Sequence, residues 1–464
     1  MQNRRTFLKS AAATPLASAS MFNMLSAFSA QAANTTGYKA LVCVFLFGGM
    51  DCHDTILPYD TPSYDRYTEI RQQLLDLYAN DPNGSSRALS ALLPLTPGNQ
   101  ADFGSRQFAM PPGMASLHNL FETGKAAIIG NVGPLIEPID STDFENDVGN
   151  VPKRLFSHND QQSTWMSFAP EDSQFGWGGR FSDAAIVSNA NANPVFTAIS
   201  LFGNTVFLSG DTAQPYQIGP NGVQEIGLLE AASPLPPGLV QTLTDHFRSE
   251  GPQKTNLFER DFVDLSRLSL DANDAFNAAI TAGSSVTTPF PQSQLGGQLR
   301  GVANTIAIRD ALNANRQIFF VGLGGFDTHS NQATDLPGLQ QDLADSLVAF
   351  HVATQELGVE FDVTAFTAAD FGRTLTINGD GTDHGWGGHH FAVGGAVNGG
   401  SIYGDIPVYD LGHANDAGNG RLIPSVGVEQ YAAALGSWFG LSQAELDVAL
   451  PALGNFPGGA LSFI

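Results

Sequence analysis

Cysteine is nearly missing from this 464-residue chain: Cys43 and Cys52 are the whole complement. Two thiols exclude a disulfide scaffold and any zinc or iron–sulfur site built on cysteine. Cys43 sits inside an apolar run and Cys52 lies beyond Gly48-Gly49. An extended chain between them keeps their Cα atoms past the ~7 Å disulfide limit, so both are expected as free thiols. Charge is scarce too, at 14% of residues, and one-sided: 45 Asp and Glu face 21 Lys and Arg, a net charge of −24. That acidity excludes a general nucleic-acid binder and a partner of anionic membranes. The 50 glycines follow no strict period, which excludes collagen and points to many tight loops. Apolar residues, at 42%, suffice for a large core and exclude a disordered chain. Length alone allows about three domains. No composition boundary forces a division, so one large α/β domain over 34–464 is expected.

The first segment is basic where the rest is acidic. Asn3-Arg4-Arg5-Thr6-Phe7-Leu8-Lys9 leads into a modest apolar stretch, and Ala30-Gln31-Ala32 offers a small-x-small cleavage pattern. Ser, Thr, Pro and Asn interrupt the stretch, which falls short of the about 20 continuous apolar residues of a membrane anchor. The paired arginines before Phe-Leu-Lys resemble a twin-arginine signal, with Asn3 where Ser or Thr is usual. Residues 1–33 are therefore expected to be a removable signal read by the twin-arginine export machinery, giving a periplasmic or secreted protein with no membrane span after cleavage. That route carries folded proteins, so a metal can be loaded before export.

Strands and helices alternate along the mature chain. Tyr38 to Phe47, Ala126 to Gly130, Ile318 to Leu323 and Phe361 to Thr367 read as buried strands, and a fifth begins at Phe391. Met114 to Thr123, Leu339 to Leu357 and Val428 to Phe439 read as helices, the second stopped by Gly358. The pattern predicts an α/β fold: a mainly parallel central sheet with helices on both faces. Thr197 to Glu250, broken by Gly and Pro, and the Ser/Thr/Pro-rich 284–293 predict a central insertion or cap over about 197–293.

Parallel sheets bind ligands beyond the C-terminal ends of their strands, and that is where the unusual polar residues fall. Asp51 follows the first strand, Ser157 and His158 follow the second after a longer loop, and Asp327 and His329 follow the third. Asp370, Arg373, Asp383 and His384 follow the fourth. Carboxylates and neutral imidazoles flanked by glycine are the donors expected for zinc, with manganese and iron as alternatives. One or two divalent ions are expected. Asn378 to Asp383 also reads as a calcium loop or as a plain Gly/Asp turn.

The chain also carries Phe45-Leu46-Phe47-Gly48-Gly49-Met50-Asp51, Asn131-Val132-Gly133-Pro134, Ser157-His158 through Gln162 and Trp165, and Gly176-Trp177-Gly178-Gly179-Arg180. It continues with Gly325-Phe326-Asp327-Thr328-His329, Asp370-Phe371-Gly372-Arg373-Thr374 and Gly381-Thr382-Asp383-His384-Gly385. Together these resemble the exported domain of unknown function 1501 family, placed with the alkaline phosphatase–sulfatase-like superfamily. The resemblance implies an alkaline phosphatase-like fold and a two-metal site. Its metal ligands would be Asp51, His158, Asp327, His329, Asp370, Asp383 and His384. It also implies Ser157 as a metal-activated nucleophile, with Arg373 bracing the transferred group of an anionic phosphate or sulfate ester. Two spacings depart from the superfamily: one residue separates Asp327 from His329, and Asp383 lies well beyond the fourth strand.

Each role has a plainer alternative. Ser157 reads equally as a helix N-cap, Arg373 as a structural ion pair, and Trp165 and Trp177 as packing. A non-catalytic exported protein that binds metal and serves in binding or assembly is the second functional expectation. The export reading is checked by N-terminal sequencing of periplasmic material, expected to begin near Ala33 or Asn34; a retained Met1 contradicts it.

Overall fold

Strand β1 (Lys39–Leu46) is buried along nearly its whole length. Ala40, Val42, Val44 and Leu46 join one apolar cluster, while Leu41, Cys43 and Phe45 join another. Successive side chains of a strand point to opposite faces, so a strand apolar on both needs a covering layer on each side. The computed structural model, which describes residues 33–464 apart from 83–84, 171–172, 224–226, 228, 230–233, 250–254 and 284, has those two layers. The predicted signal lies outside the described residues but for Ala33.

The sheet is completed by β2 (Ala126–Gly133), β3 (Ala198–Ser200), β4 (Tyr216–Gln217), β5 (Arg316–Leu323), β6 (Val363–Ala369), β9 (Gly388–Val393), β10 (Ile402–Gly404) and β11 (Val426–Gly427). Between β6 and β9 a hairpin of β7 (Arg373–Ile377) and β8 (Thr382–His384) stands off the sheet. The sheet order is β10-β2-β9-β6-β1-β5-β3-β4, with β11 also on β2. Every pairing is parallel except those of β9, which runs against both β2 and β6.

One face is covered by α1 (Thr61–Asn80), α2 (Ala115–Glu122), α6 (Gln294–Ala307) and α7 (Gln332–Glu356). Residues of α3 (His158–Ser167), α4 (Trp177–Val187) and α8 (Val428–Phe439) pack on the other. The α/β class with a large, mostly parallel sheet matches the expectation. The start of the predicted insertion does not: β3 and β4 hydrogen-bond into the central sheet. Gly203 and Gly210 lie in the chain that links them, so sheet residues read as a broken loop. Beyond them the long helix α5 (Leu257–Ala282) was not foreseen.

Cys43 and Cys52 are free and buried, as expected. Trp165 and Trp177 are buried, and the Trp177 indole donates to Trp165 O at 3.0 Å, so both pack rather than face solvent. Asn378 to Gly381 is the turn of the β7–β8 hairpin, closed by Asn378 N donating to Gly381 O at 3.1 Å, and Thr382 and Asp383 open β8. No helix among the described residues is long and apolar enough to cross a membrane.

Glu429, on the first turn of α8, is 3% exposed, and one carboxyl oxygen lacks a partner. Burial pushes its pKa up from 4.5 to about 8. Between those values the unfolded chain has released a proton that the folded chain keeps, so stability falls as pH rises through the window and levels above it. Each pH unit inside the window costs about 1.4 kcal/mol. Glu429→Gln should flatten this slope in urea melts taken from pH 5 to 8.5.

Candidate metal centre

Because β9 is antiparallel, its N-terminal end lies at the same sheet edge as the C-terminal ends of β1, β5 and β6. The loops leaving three strands and the hairpin entering a fourth therefore meet. The β1 and β5 loops are zipped by backbone bonds, Phe47 N to Leu323 O at 2.9 Å and Phe326 N to Phe47 O at 3.1 Å. Gly48 has φ +112°, and a Cβ there would stand 2.3 Å from Asp327 N. Glycine is required for this approach, and the approach fixes where Asp327 stands.

Three imidazoles surround the Asp327 carboxylate. Its Oδ1 lies 3.4 Å from His158 Nε2, 3.2 Å from His329 Nε2 and 3.3 Å from His384 Nε2. His329 Nε2 and His384 Nε2 are 2.8 Å apart. Each ring is held at its other nitrogen. His158 Nδ1 meets Asp370 Oδ2 at 2.6 Å, His329 Nδ1 meets Asp383 Oδ1 at 3.2 Å, and His384 Nδ1 meets Phe156 O at 2.8 Å. An acceptor at Nδ1 holds the proton there and leaves the Nε2 lone pair free, the arrangement around metal-ligating histidines. His158 Nε2 is buried and has no hydrogen-bond partner. Phe371 packs under the rings of His158 and His384, with centroids 4.8 and 4.7 Å away.

Bonds of about 2.0–2.1 Å at tetrahedral angles separate neighbouring donors by about 3.3 Å. Distances of 2.8 to 3.4 Å match that spacing, and His158, Asp327 and His384 form a group able to hold one ion. The residues fit a single divalent transition metal. The Asp370 hydrogen bond raises the His158 pKa. Burial pushes Asp327 up, but the Arg373 hydrogen bond and charge outweigh it and leave the carboxyl below its usual range. Burial lowers His384, partly opposed by the Phe156 carbonyl.

The other expected residues fall elsewhere. Asp51 does not join the cluster. It is buried and paired with Arg71 at 2.7 Å, and it also accepts from Gln332 Nε2 at 2.7 Å and His53 N at 3.1 Å. Its lone pairs are spent on a structural ion pair. Asp370 and Asp383 stand behind the ligands, each on an Nδ1. Arg373 is wholly buried, donating to Gly48 O at 2.8 Å, Thr382 Oγ1 at 2.9 Å and Asp327 Oδ1 at 3.0 Å. It anchors loops and has no face toward a substrate. Ser157 occupies the N-cap position of α3, yet its hydroxyl donates to Asp160 Oδ2 at 2.8 Å. Among the described residues, that hydroxyl makes no hydrogen bond to the centre.

Arg421 was missed. Its Nε donates to His384 O at 2.9 Å and its guanidinium lies 5.0 Å over the Phe156 ring, half-buried at the edge of the centre. Nothing in the Gly/Asn-rich loop around it marks it out. Arg71 did leave a signal: Tyr67, Arg71, Leu74, Leu75 and Tyr78 form the buried stripe of α1, so a cation sits at a core position.

An α/β protein with a part-buried cluster of His158, Asp327 and His384 at one sheet edge, His329 beside it, is thus the class defined by fold and site. The family described as Protein of unknown function (DUF1501) matches residues 38–421, and the chain belongs to it. No curated protein matches the chain. Among solved structures it is similar to "Crystal structure of Ps i-CgsB in complex with k-i-k-neocarrahexaose", at 9% identity and a TM-score of 0.37, covering 90% of this chain and 77% of that one.

Two substitutions separate ligand from scaffold. His384→Ala should lower zinc stoichiometry, read by elemental analysis after dialysis, to below half that of the wild type. Asp51→Ala should keep the metal but lose about 3–5 kcal/mol in denaturant melts, because Arg71 is left buried and unpaired.

Proposed function

We propose that this chain is an exported, metal-dependent hydrolase of phosphate or sulfate esters with an alkaline phosphatase-like α/β fold and a modified insertion after β4. The carrying observation is the convergence of three Nδ1-anchored imidazoles on the Asp327 carboxylate at an open sheet edge. His158, Asp327 and His384 would hold the ion, with His329 beside them, zinc first by donor type and manganese or iron as alternatives. When bound, such an ion supplies positive charge to the oxygens of an anionic ester and acidity to water beside it.

The chain's own residues supply the rest. Asp370, Asp383 and the Phe156 carbonyl hold the imidazole tautomers, and Arg373 holds Asp327 in place. Arg421, whose Nε holds His384 O and whose Nη1 reaches Gly418 O at 3.3 Å, keeps Nη2 for an oxygen of a transferred phosphoryl or sulfuryl group. Water is favoured over Ser157 as the attacking group, since the serine hydroxyl is committed to Asp160. The same commitment, with the burial of Arg373, favours a second reading, a non-catalytic metal-binding protein of the same fold.

The test is a screen of zinc- and manganese-loaded protein against 4-nitrophenyl sulfate and 4-nitrophenyl phosphate. Turnover should vanish with chelator and return with metal. Arg421→Ala should raise KM at least tenfold, while Ser157→Ala should keep kcat within tenfold. Loss of turnover in Ser157→Ala with metal retained restores the serine as nucleophile. Stoichiometric metal with no ester cleaved selects the second reading.

A further inference from the structure

The chain just before β1 is built into the body at the sheet edge opposite the metal centre. Lys39 and Arg316 open β1 and β5 and pair in register there. Arg316 is 2% exposed, and its guanidinium is spent on backbone carbonyls. It donates to Phe439 O, at the end of α8, and to Asn315 O, both at 2.8 Å, and it also holds the carbonyls of Asn34, Thr36 and Gly37. Asn34 N donates to Gly440 O at 2.8 Å. A Cβ on Gly440 would stand 2.3 Å from Asn34 O, so a side chain there would push the strap away. Residues 34–37 thus supply acceptors to a buried cation, which their loss would leave unsatisfied. They belong to the fold and not to the signal, so a cut that spares the fold falls before Asn34.

One residue further out, Ala33 meets a carboxylate. Its N donates to Glu445 Oε1 at 3.1 Å. Glu445 lies half-buried in the first turn of α9 (Gln443–Ala449). Its other oxygen is committed: Oε2 accepts from Ser442 N at 2.8 Å and from Ser442 Oγ at 2.7 Å. Those two bonds fix the carboxylate with Oε1 turned to the strap. The small-x-small pattern Ala30-Gln31-Ala32 ends on the residue before Ala33. The sequence pattern and the docking of the strap are independent observations, and they mark the same peptide bond.

Resting on the export reading, we infer that the chain is cut between Ala32 and Ala33 and that Glu445 is the receptor of the new N-terminus. Hydrolysis by the export peptidase adds water across that bond. Ala32 leaves with a carboxylate, and the Ala33 nitrogen, protonated, becomes an α-ammonium. That nitrogen already lies on Glu445 Oε1, so a bond from a neutral peptide N–H becomes an ion pair. A bond charged at both partners is shorter and stronger than one with a neutral donor. Export of a folded body puts the receptor in place before the amine is formed.

The test has two arms. Intact mass of the exported protein should give a chain of residues 33–464. A cut at any other bond overturns the inference. A chain that retains Met1 sinks the export reading instead, and the receptor is then judged on protein released at Ala33 by a scarless protease. In the second arm the 33–464 chain is acylated with an N-hydroxysuccinimide acetate at pH 7, and the Ala33 amine is followed by peptide mass. Its rate should be at least threefold lower in the folded wild type than in Glu445→Gln, which keeps the side-chain size and removes the charge. Glu445→Ala should match Glu445→Gln, with both variants shown to be folded by circular dichroism. Equal rates in the wild type and the two variants mean that Glu445 does not hold the amine, and overturn the inference.

Discussion

The site depends on one buried carboxylate. Asp370 Oδ2 accepts from Gly48 N, His158 Nδ1 and Gln162 Nε2, and so ties the end of β6 to the β1 loop and to the start of α3. A charge taken out of water is tolerated only when hydrogen bonds replace its hydration. The three donors do this at Oδ2 alone, Oδ1 being buried without a hydrogen-bond partner, and they are also the groups whose positions set the centre. Arg373, three residues on, completes the tie by holding Gly48 O and Asp327 together. Anion and cation thus lie at the same strand end, Asp370 turned to His158 and Arg373 to Asp327.

The strands were legible because they are apolar on both faces, a pattern that loops and surface helices do not produce. The predicted Val428–Phe439 helix has the bounds that are observed, since its residues are nearly all buried and Gly440 stops it. The site was legible as a set of loops. Asp327, His329, His384 and His158 converge as the glycine-flanked Asp/His pattern suggested. What sequence does not carry is which carboxylate after a strand remains free. Asp51 and Asp327 look alike in sequence, each a turn past a Gly-Gly. They differ because α1 brings Arg71 against Asp51, and that helix went unread. Asp370 and Asp383, expected as metal ligands, stand instead behind an imidazole, a placement that rests on side-chain direction, which spacing along the chain leaves undefined.

Ser157 illustrates the same limit on a smaller scale. Its backbone is extended, at φ −105° and ψ 128°, while His158 next to it starts the helix. Neighbouring side chains diverge at such a junction. His158 takes the direction of the centre and Ser157 takes that of Asp160. A chain-order match to a nucleophile position therefore does not specify a nucleophile. The local turn decides, and here it favours an imidazole ligand.

The lone antiparallel strand has a consequence for how the centre is assembled. Asp370, Arg373, Asp383 and His384 all lie in the short stretch between β6 and β9, so they are close in sequence as well as in space. His158 reaches it from one distant part of the chain, and Asp327 with His329 from another. That stretch by itself contains one imidazole of the centre and the supporting carboxylates, too few donors to retain an ion. Long-range docking of β5 and α3 supplies the remainder. An ion held at this centre would therefore draw on all of those long-range contacts and would add its binding free energy to them.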